Sequence, residues 1–283
     1  MPSSTSGVAL AEKAGRFLEL HQGLPILALA NVWDVASARI VEQAGFQAVA
    51  TSSAAIANSL GYPDGQHISR AEMLAVVKRI ASKVSLPVSA DLEAGYGEGP
   101  DEMAETARAL IEAGAVGLNL EDSREEAELV PVEQHEAKIR RIRETGQGLG
   151  VHVVINARTD VYLAQVGEPA SRLEHAARRL NAYRAAGADS LFVPGVYDGE
   201  TIARLVQAVH GPLNVLAGPS TPPLSELERL GVRRLSFGSW PARAALGLFS
   251  RFVHELHEKR TCATLGDWAV PYAELNRLVS EKD

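Results

Sequence analysis

The acidic residues of this chain gather at the ends of short apolar runs. In Pro87-Val88-Ser89-Ala90-Asp91-Leu92-Glu93-Ala94-Gly95-Tyr96-Gly97, Asp91 and Glu93 stand two apart, so on a strand both point to one face. Two carboxylates on one face repel unless a cation or a proton is shared between them. Glu121 closes the next apolar run, and Asp64 lies in the loop after an earlier one. An all-oxygen donor set with no His or Cys beside it suits Mg²⁺, or Mn²⁺, rather than zinc. Asp91, Glu93, Asp64 and Glu121 are therefore candidate metal ligands; the competing reading is that these acids cap helices or pair with Arg158. Arg158 itself, in Asn156-Ala157-Arg158-Thr159-Asp160, could grip a carboxylate or phosphate with both arms of its fork, or could serve as a structural partner of Glu121 or Asp160. Thr51-Ser52-Ser53-Ala54 offers hydroxyls and backbone N–H groups, which is an oxyanion cradle or merely a turn.

Such residues need a scaffold that brings successive strand ends together. Eight apolar runs of strand length recur, at 26–30, 48–51, 87–93, 116–121, 152–158, 190–194, 213–217 and 234–238. Each is followed by a longer stretch of helical spacing, near 34–44, 69–83, 101–113, 132–145, 171–186, 198–209, 223–230 and 240–257. Gly45, Gly114, Gly187 and Gly231 each stand where a helix should stop before a strand begins. Asp34, the Ser69–Glu72 capping box and Pro100-Asp101 mark helix starts. Eight βα units in even succession predict a (β/α)₈ TIM barrel over residues 1–283 as one domain, with the open doubly wound sheet as the alternative. Residues 1–7 read as a disordered tail, 8–22 as an extra N-terminal helix over the barrel bottom, and 240–283 as a C-terminal helical region. In a parallel barrel the site lies at the carboxyl ends of the strands, which is where the acids and Arg158 fall.

Composition narrows the partners. Lys and Arg number 28 against 35 Asp and Glu, a net charge of −7, which argues against a nucleic-acid binder. No apolar run is long enough to span a bilayer, no signal peptide is readable, and the lone Cys262 can form no internal disulfide, so a cytoplasmic location is expected.

Taken together, Asn31-Val32-Trp33-Asp34, Thr51-Ser52-Ser53, Leu60-Gly61-Tyr62-Pro63-Asp64, Asp91-Leu92-Glu93-Ala94-Gly95-Tyr96-Gly97, Asn119-Leu120-Glu121-Asp122 and Asn156-Ala157-Arg158-Thr159-Asp160 resemble the isocitrate lyase and phosphoenolpyruvate mutase superfamily over nearly the whole chain. The resemblance implies that Asp91 binds Mg²⁺ directly, while Asp64, Glu93 and Glu121 hold its waters. It implies a 2-oxo or 2-hydroxy di- or tricarboxylate held by Ser52, the N–H groups of Ser53 and Ala54, and Arg158, with Asn214 reaching its distal part; Trp33, an aromatic between strand and helix, either shapes the pocket floor or simply packs. The implied reaction makes or breaks a C–C bond through a metal-stabilised enolate, as in oxaloacetate decarboxylation or methylisocitrate cleavage. One departure bears on the reaction. The superfamily's lyases carry a K-K/R-C-G-H loop, whereas residues 121–130 here contain no Cys, Lys or His, so Tyr96, Ser123 or water would have to give the proton. Phosphonopyruvate-type P–C chemistry and a non-catalytic 2-oxo-acid-binding barrel are the alternatives. The superfamily also implies a homodimer or homotetramer, with exchange of a C-terminal helix.

Overall fold

The computed structural model describes residues 4–123, 128–266 and 268–280. Among the described residues nine strands, all parallel, belong to one sheet: β1 Leu27–Leu29, β2 Asn31–Val32, β3 Val49–Thr51, β4 Val88–Asp91, β5 Gly117–Glu121, β6 Val154–Arg158, β7 Ser190–Val193, β8 Leu213–Leu216 and β9 Arg234–Ser236. The first apolar run is one strand broken at Ala30. Its front piece β1 pairs with β9 and its rear piece β2 with β3, which brings the two ends of the sheet together as a barrel. Asn31 secures this seam: its Nδ2 donates to the Thr51 carbonyl at 2.8 Å, and its Oδ1 accepts the N–H groups of Phe237 at 2.7 Å and Gly238 at 3.0 Å.

The helices are α1 Ser4–Leu20, α2 Val35–Gln43, α3 Ser53–Ser59, α4 Arg70–Ala81, α5 Pro100–Glu112, α6 Val132–Gly148, α7 Arg172–Ala185, α8 Gly199–Ala208, α9 Leu224–Leu230, α10 Trp240–Lys259 and α11 Tyr272–Ser280. Their starts follow the sequence signals. Asp34 and Ser37 form a capping box on α2, Ser69 and Glu72 form the expected one on α4, and Pro100 opens α5. The four helix-stopping glycines all adopt positive φ, from 86° at Gly45 to 116° at Gly187. Two differences from expectation stand out. Helix α1 begins at Ser4, inside the expected tail, and α3 occupies the stretch read as a cradle or turn.

Period-two alternation divides the strands between two environments. Ala90, Leu118, Leu120, Ile155, Ala157 and Leu191 join the apolar core. The alternate positions Asp91, Asn119, Asn156, Asn214, Arg234 and Ser236 are buried and hydrogen-bond among themselves within the barrel. Helix α1 plugs the bottom: Phe17 is fully buried and packs so closely on Gly117 that a Cβ there would lie 2.6 Å from its ring.

Candidate active site

Strand register sets the first layer of the mouth. Asp91 on β4 stands opposite Asn119 on β5, which stands opposite Asn156 on β6, and one step outward Glu121 stands opposite Arg158. Asp91 is buried and held on both sides. Its Oδ2 accepts the Ser53 N–H at 3.1 Å and the Ser53 hydroxyl at 2.9 Å, and its Oδ1 accepts Asn119 Nδ2 at 3.3 Å. The Asp91 N–H in turn donates to Thr51 Oγ1 at 2.9 Å. Ser52 is the N-cap of α3, its hydroxyl accepting the Ala55 N–H at 3.3 Å. The stretch around Ser52, Ser53 and Ala54 is thus a helix N-terminus, and Ser53 spends its first-turn N–H on Asp91.

Arg158 stands at the mouth as expected, but its fork is not free. The Nε and Nη2 edge grips Asp160 in two contacts of 2.6 and 2.8 Å, and Nη1 lies 2.6 Å from Glu121. The Phe192 ring centroid lies 5.9 Å from the guanidinium carbon. Both partners that the sequence offered for this arginine are therefore engaged at once.

Past Asp91 the chain turns sharply. Glu93 and Tyr96 both have left-handed backbones, φ 51° and 58°, a conformation costly for residues with a Cβ. Glu93 is 2% exposed, and neither of its carboxylate oxygens nor the neighbouring Tyr96 hydroxyl has a well-formed hydrogen bond. Burial, reinforced by Asp91 and Asp64, pushes the Glu93 carboxyl up to about 7 despite contacts to Gln66 and Tyr96. Burial also pushes Glu121 upward against the pull of Arg158, and Asp160, Asp91 and Glu93 add to the rise. Asp64, on the exposed loop after α3, is raised by partial burial and by Asp91. Five carboxylates that feel one another (Asp64, Asp91, Glu93, Glu121, Asp160) thus gather around Arg158. Like charges crowded at low dielectric favour a proton or a cation. Among the described residues, however, no three His, Cys, Asp or Glu side chains form a ready-made cation cage.

The remaining candidates are dispersed. Asn214 is fully buried within the barrel and shares hydrogen bonds of 3.3 and 3.4 Å with Ser236. Trp33 is half-buried against the core and donates its backbone N–H to Ser37 Oγ at 3.1 Å. Ser123 pairs with Leu129 in an isolated antiparallel bridge at the base of the loop after β5; residues 124–127 of that loop lie outside the described residues.

Two supports were not legible as such. Lys138 on α6, 2% exposed, donates to the Ala94 carbonyl at 3.1 Å and the Gly97 carbonyl at 2.8 Å, and so clasps the loop that carries Glu93 and Tyr96. Asp122 is fully buried: it accepts Arg179 Nε at 2.6 Å, the Tyr183 hydroxyl at 2.7 Å and the Asp160 N–H at 3.0 Å, which ties α7 to the end of β6. Both lysine and neighbouring His135 fall on the i, i+3, i+7 face of α6 with Ile142, which was the available signal.

A parallel barrel whose strand ends converge on carboxylates and an arginine places the chain among the α/β-barrel proteins. Within it, the phosphoenolpyruvate phosphomutase family profile matches residues 17–257, and the chain belongs to that family. An oxaloacetate decarboxylase of Rhodopseudomonas palustris is 30% identical over 273 residues, covering 93% of this chain and 91% of the relative. A 2-methylisocitrate lyase of Bacillus subtilis is 30% identical over 246 residues, covering 83% and 78%. A solved structure from Burkholderia cenocepacia, classed only broadly as a lyase or mutase, superposes with a TM-score of 0.89 at 37% identity, covering 98% of each chain.

Proposed function

We propose that the chain is a divalent-metal-dependent carbon–carbon lyase that decarboxylates oxaloacetate or a close 2-oxo dicarboxylate. The observation that carries this reading is the surplus of carboxylates at the mouth, with Glu93 buried and neither of its oxygens in a well-formed hydrogen bond. That donor set, all oxygen and several-fold anionic, fits Mg²⁺ or Mn²⁺. Asp91 would hold the ion directly, with Asp64, Glu93 and Glu121 around it. A bound divalent ion would supply positive charge next to the substrate's 2-oxo group.

The chain's own residues do the rest. Loss of CO₂ leaves the electron pair of the broken bond on C3, delocalised toward the C2 oxygen, and one proton must then reach C3 to give pyruvate. Arg158 stabilises the charge that develops on the substrate's oxygens, its orientation fixed by Asp160 and Glu121. A substrate carboxylate gains this guanidinium only by competing with those two acids. Ser52, Ser53 and Ala54 present the N-terminus of α3, an anion-favouring helix end. Asn214, buried within the barrel, would reach the distal part of the substrate, and Trp33 would shape the pocket floor. Decarboxylation needs no thiol on a long loop, which accords with a loop base pinched by Ser123 and Leu129.

A methylisocitrate-type cleavage is the second reading. It is favoured by the Tyr96 hydroxyl, a buried O–H donor without a well-formed partner that could serve where the superfamily's lyases use cysteine. The test is Mg²⁺-dependent product formation across oxaloacetate, 2-methylisocitrate, isocitrate and phosphonopyruvate. Pyruvate and CO₂ from oxaloacetate are expected; faster cleavage of 2-methylisocitrate selects the second reading, and tight binding of 2-oxo acids with no turnover refutes both.

A further inference from the structure

Below the mouth lies a second cation that this chemistry does not use. Arg234 on β9 is fully buried, and among the described residues its guanidinium hydrogen-bonds only His21 and Asn119, with Nε unpartnered. His21 cannot neutralise it. The His21 Nδ1 lies 2.7 Å from the Phe17 carbonyl, which requires Nδ1 to carry the proton, so Nε2 offers its lone pair to Arg234 Nη1 at 3.2 Å. Burial and Arg234 itself push His21 down to about 3, so it stays uncharged.

A guanidinium enclosed without an adjacent anion is costly to keep, and hydrophobic replacement of buried charges is often neutral or favourable. Its position answers what it does. Arg234 Nη2 donates to Asn119 Oδ1 at 3.2 Å, and Asn156 Nδ2 donates to the same oxygen at 2.8 Å. With two donors on its oxygen, the Asn119 amide can sit only one way, and its Nδ2 then donates to Asp91 Oδ1. Arg234 is thus joined to Asp91 through one amide, on the barrel side of the carboxylate cluster.

We propose that Arg234 is a positioning residue and buried counter-charge for the mouth: through Asn119 it fixes Asp91, and its charge tempers the carboxylates enough for a dianionic substrate to enter. This rests on the reading of the mouth as a divalent-ion and 2-oxo-acid site. A charge so placed acts with opposite sign on the two ligands, weakening cation binding and strengthening anion binding. Loss of side-chain packing has no reason to produce such opposed shifts.

The experiment is calorimetric titration of the full chain with Mn²⁺, and then of the Mn²⁺-saturated protein with oxalate, a small dianion. Arg234→Met and Arg234→Gln both remove the charge, and Gln keeps a polar donor should Met fail to fold. Both are expected to bind Mn²⁺ about tenfold more tightly and oxalate about tenfold more weakly, as Coulomb interaction across a few side chains at an intermediate dielectric allows. Arg234→Lys should stay within about twofold of the unaltered protein on both. Neutral variants that leave both constants unchanged, or shift them in the same direction, overturn the inference, as does a Lys variant that behaves like Met. An unaltered protein that takes up no Mn²⁺ overturns the reading of the mouth, and this inference with it; normal uptake with unresponsive variants overturns the inference alone.

Discussion

Replacing Lys138 by Met tests whether the strained loop at the mouth is held from behind. Glu93 and Tyr96 occupy left-handed backbone conformations, at about 1–2 kcal/mol each, so the loop stores roughly 2–4 kcal/mol that something must offset. Lys138 supplies two charge-assisted hydrogen bonds to the Ala94 and Gly97 carbonyls, each worth about 1.5–3 kcal/mol. Gly95 between them is packed against Met103, where a Cβ would lie 2.6 Å from the sulfur, and Thr106 Oγ1 donates to its carbonyl at 2.8 Å. Methionine keeps the buried stem and removes both bonds, leaving two carbonyls without the ammonium. The loss is about the size of the strain, so Glu93 and Tyr96 should relax out of place. Expected are a fall of about 3 kcal/mol in unfolding free energy, faster amide exchange across Glu93–Gly97, and a drop in kcat of tenfold or more with a smaller change in KM. Unchanged exchange in that segment, with kcat preserved, refutes the clasp.

Three other outcomes follow from the same structure. Asp91→Ala should abolish Mn²⁺ uptake while circular dichroism stays that of the folded barrel; an unaltered titration would remove Asp91 from the metal site. His135 is fully buried against the Tyr183 ring, and burial pushes it down to about 4. The unfolded chain therefore takes up a proton near pH 6.5 that the folded chain refuses until about pH 4, so stability falls as pH drops through that window, by up to about 3 kcal/mol. Urea unfolding of His135→Phe should show a shallower loss between pH 6.5 and 4 than the unaltered protein, and equal slopes would contradict this. On α10, Leu246, Phe249, Val253 and Leu256 are exposed at helical spacing, a large apolar stripe for a solvent-facing helix. The chain is expected to sediment as a dimer or tetramer, and Phe249→Glu should shift it toward monomer; a monomeric unaltered chain counts against the expectation.

What could be read from sequence was what a one-dimensional pattern carries. The eight runs became strands because apolar stretches bounded by glycine and by capped helices have few other solutions, and the four stopping glycines took the positive φ their positions demanded. Helix α3 escaped because Ser53–Ser59 has only seven residues, most of them small, with Ile56 its one large apolar side chain; what marks it is Ser52 as an N-cap, easily read as a turn. The break at Ala30 escaped because it depends on Asn31 bonding to β3 on one side and to the start of α10's approach on the other.

At the site, residue type and strand position were enough to nominate Asp91, Glu121 and Arg158, but not to say which contacts each one has already made. Ser53, nominated as a substrate donor, also holds Asp91; Arg158, nominated as a carboxylate grip or a structural partner of Glu121 or Asp160, spans both acids. Both outcomes have one cause. With five acids around Arg158 in a low-dielectric mouth, the Ser53 N–H and the Arg158 guanidinium are drawn to the nearest carboxylates, so these two donors expected for substrate are taken by the protein's own anions. The same competition means that a ligand able to relieve the anionic surplus also releases donors. Filling the mouth with positive charge should therefore free Ser53 and Arg158 for a substrate anion, and cation and dianion should bind with positive coupling, each tightening the other by the same factor.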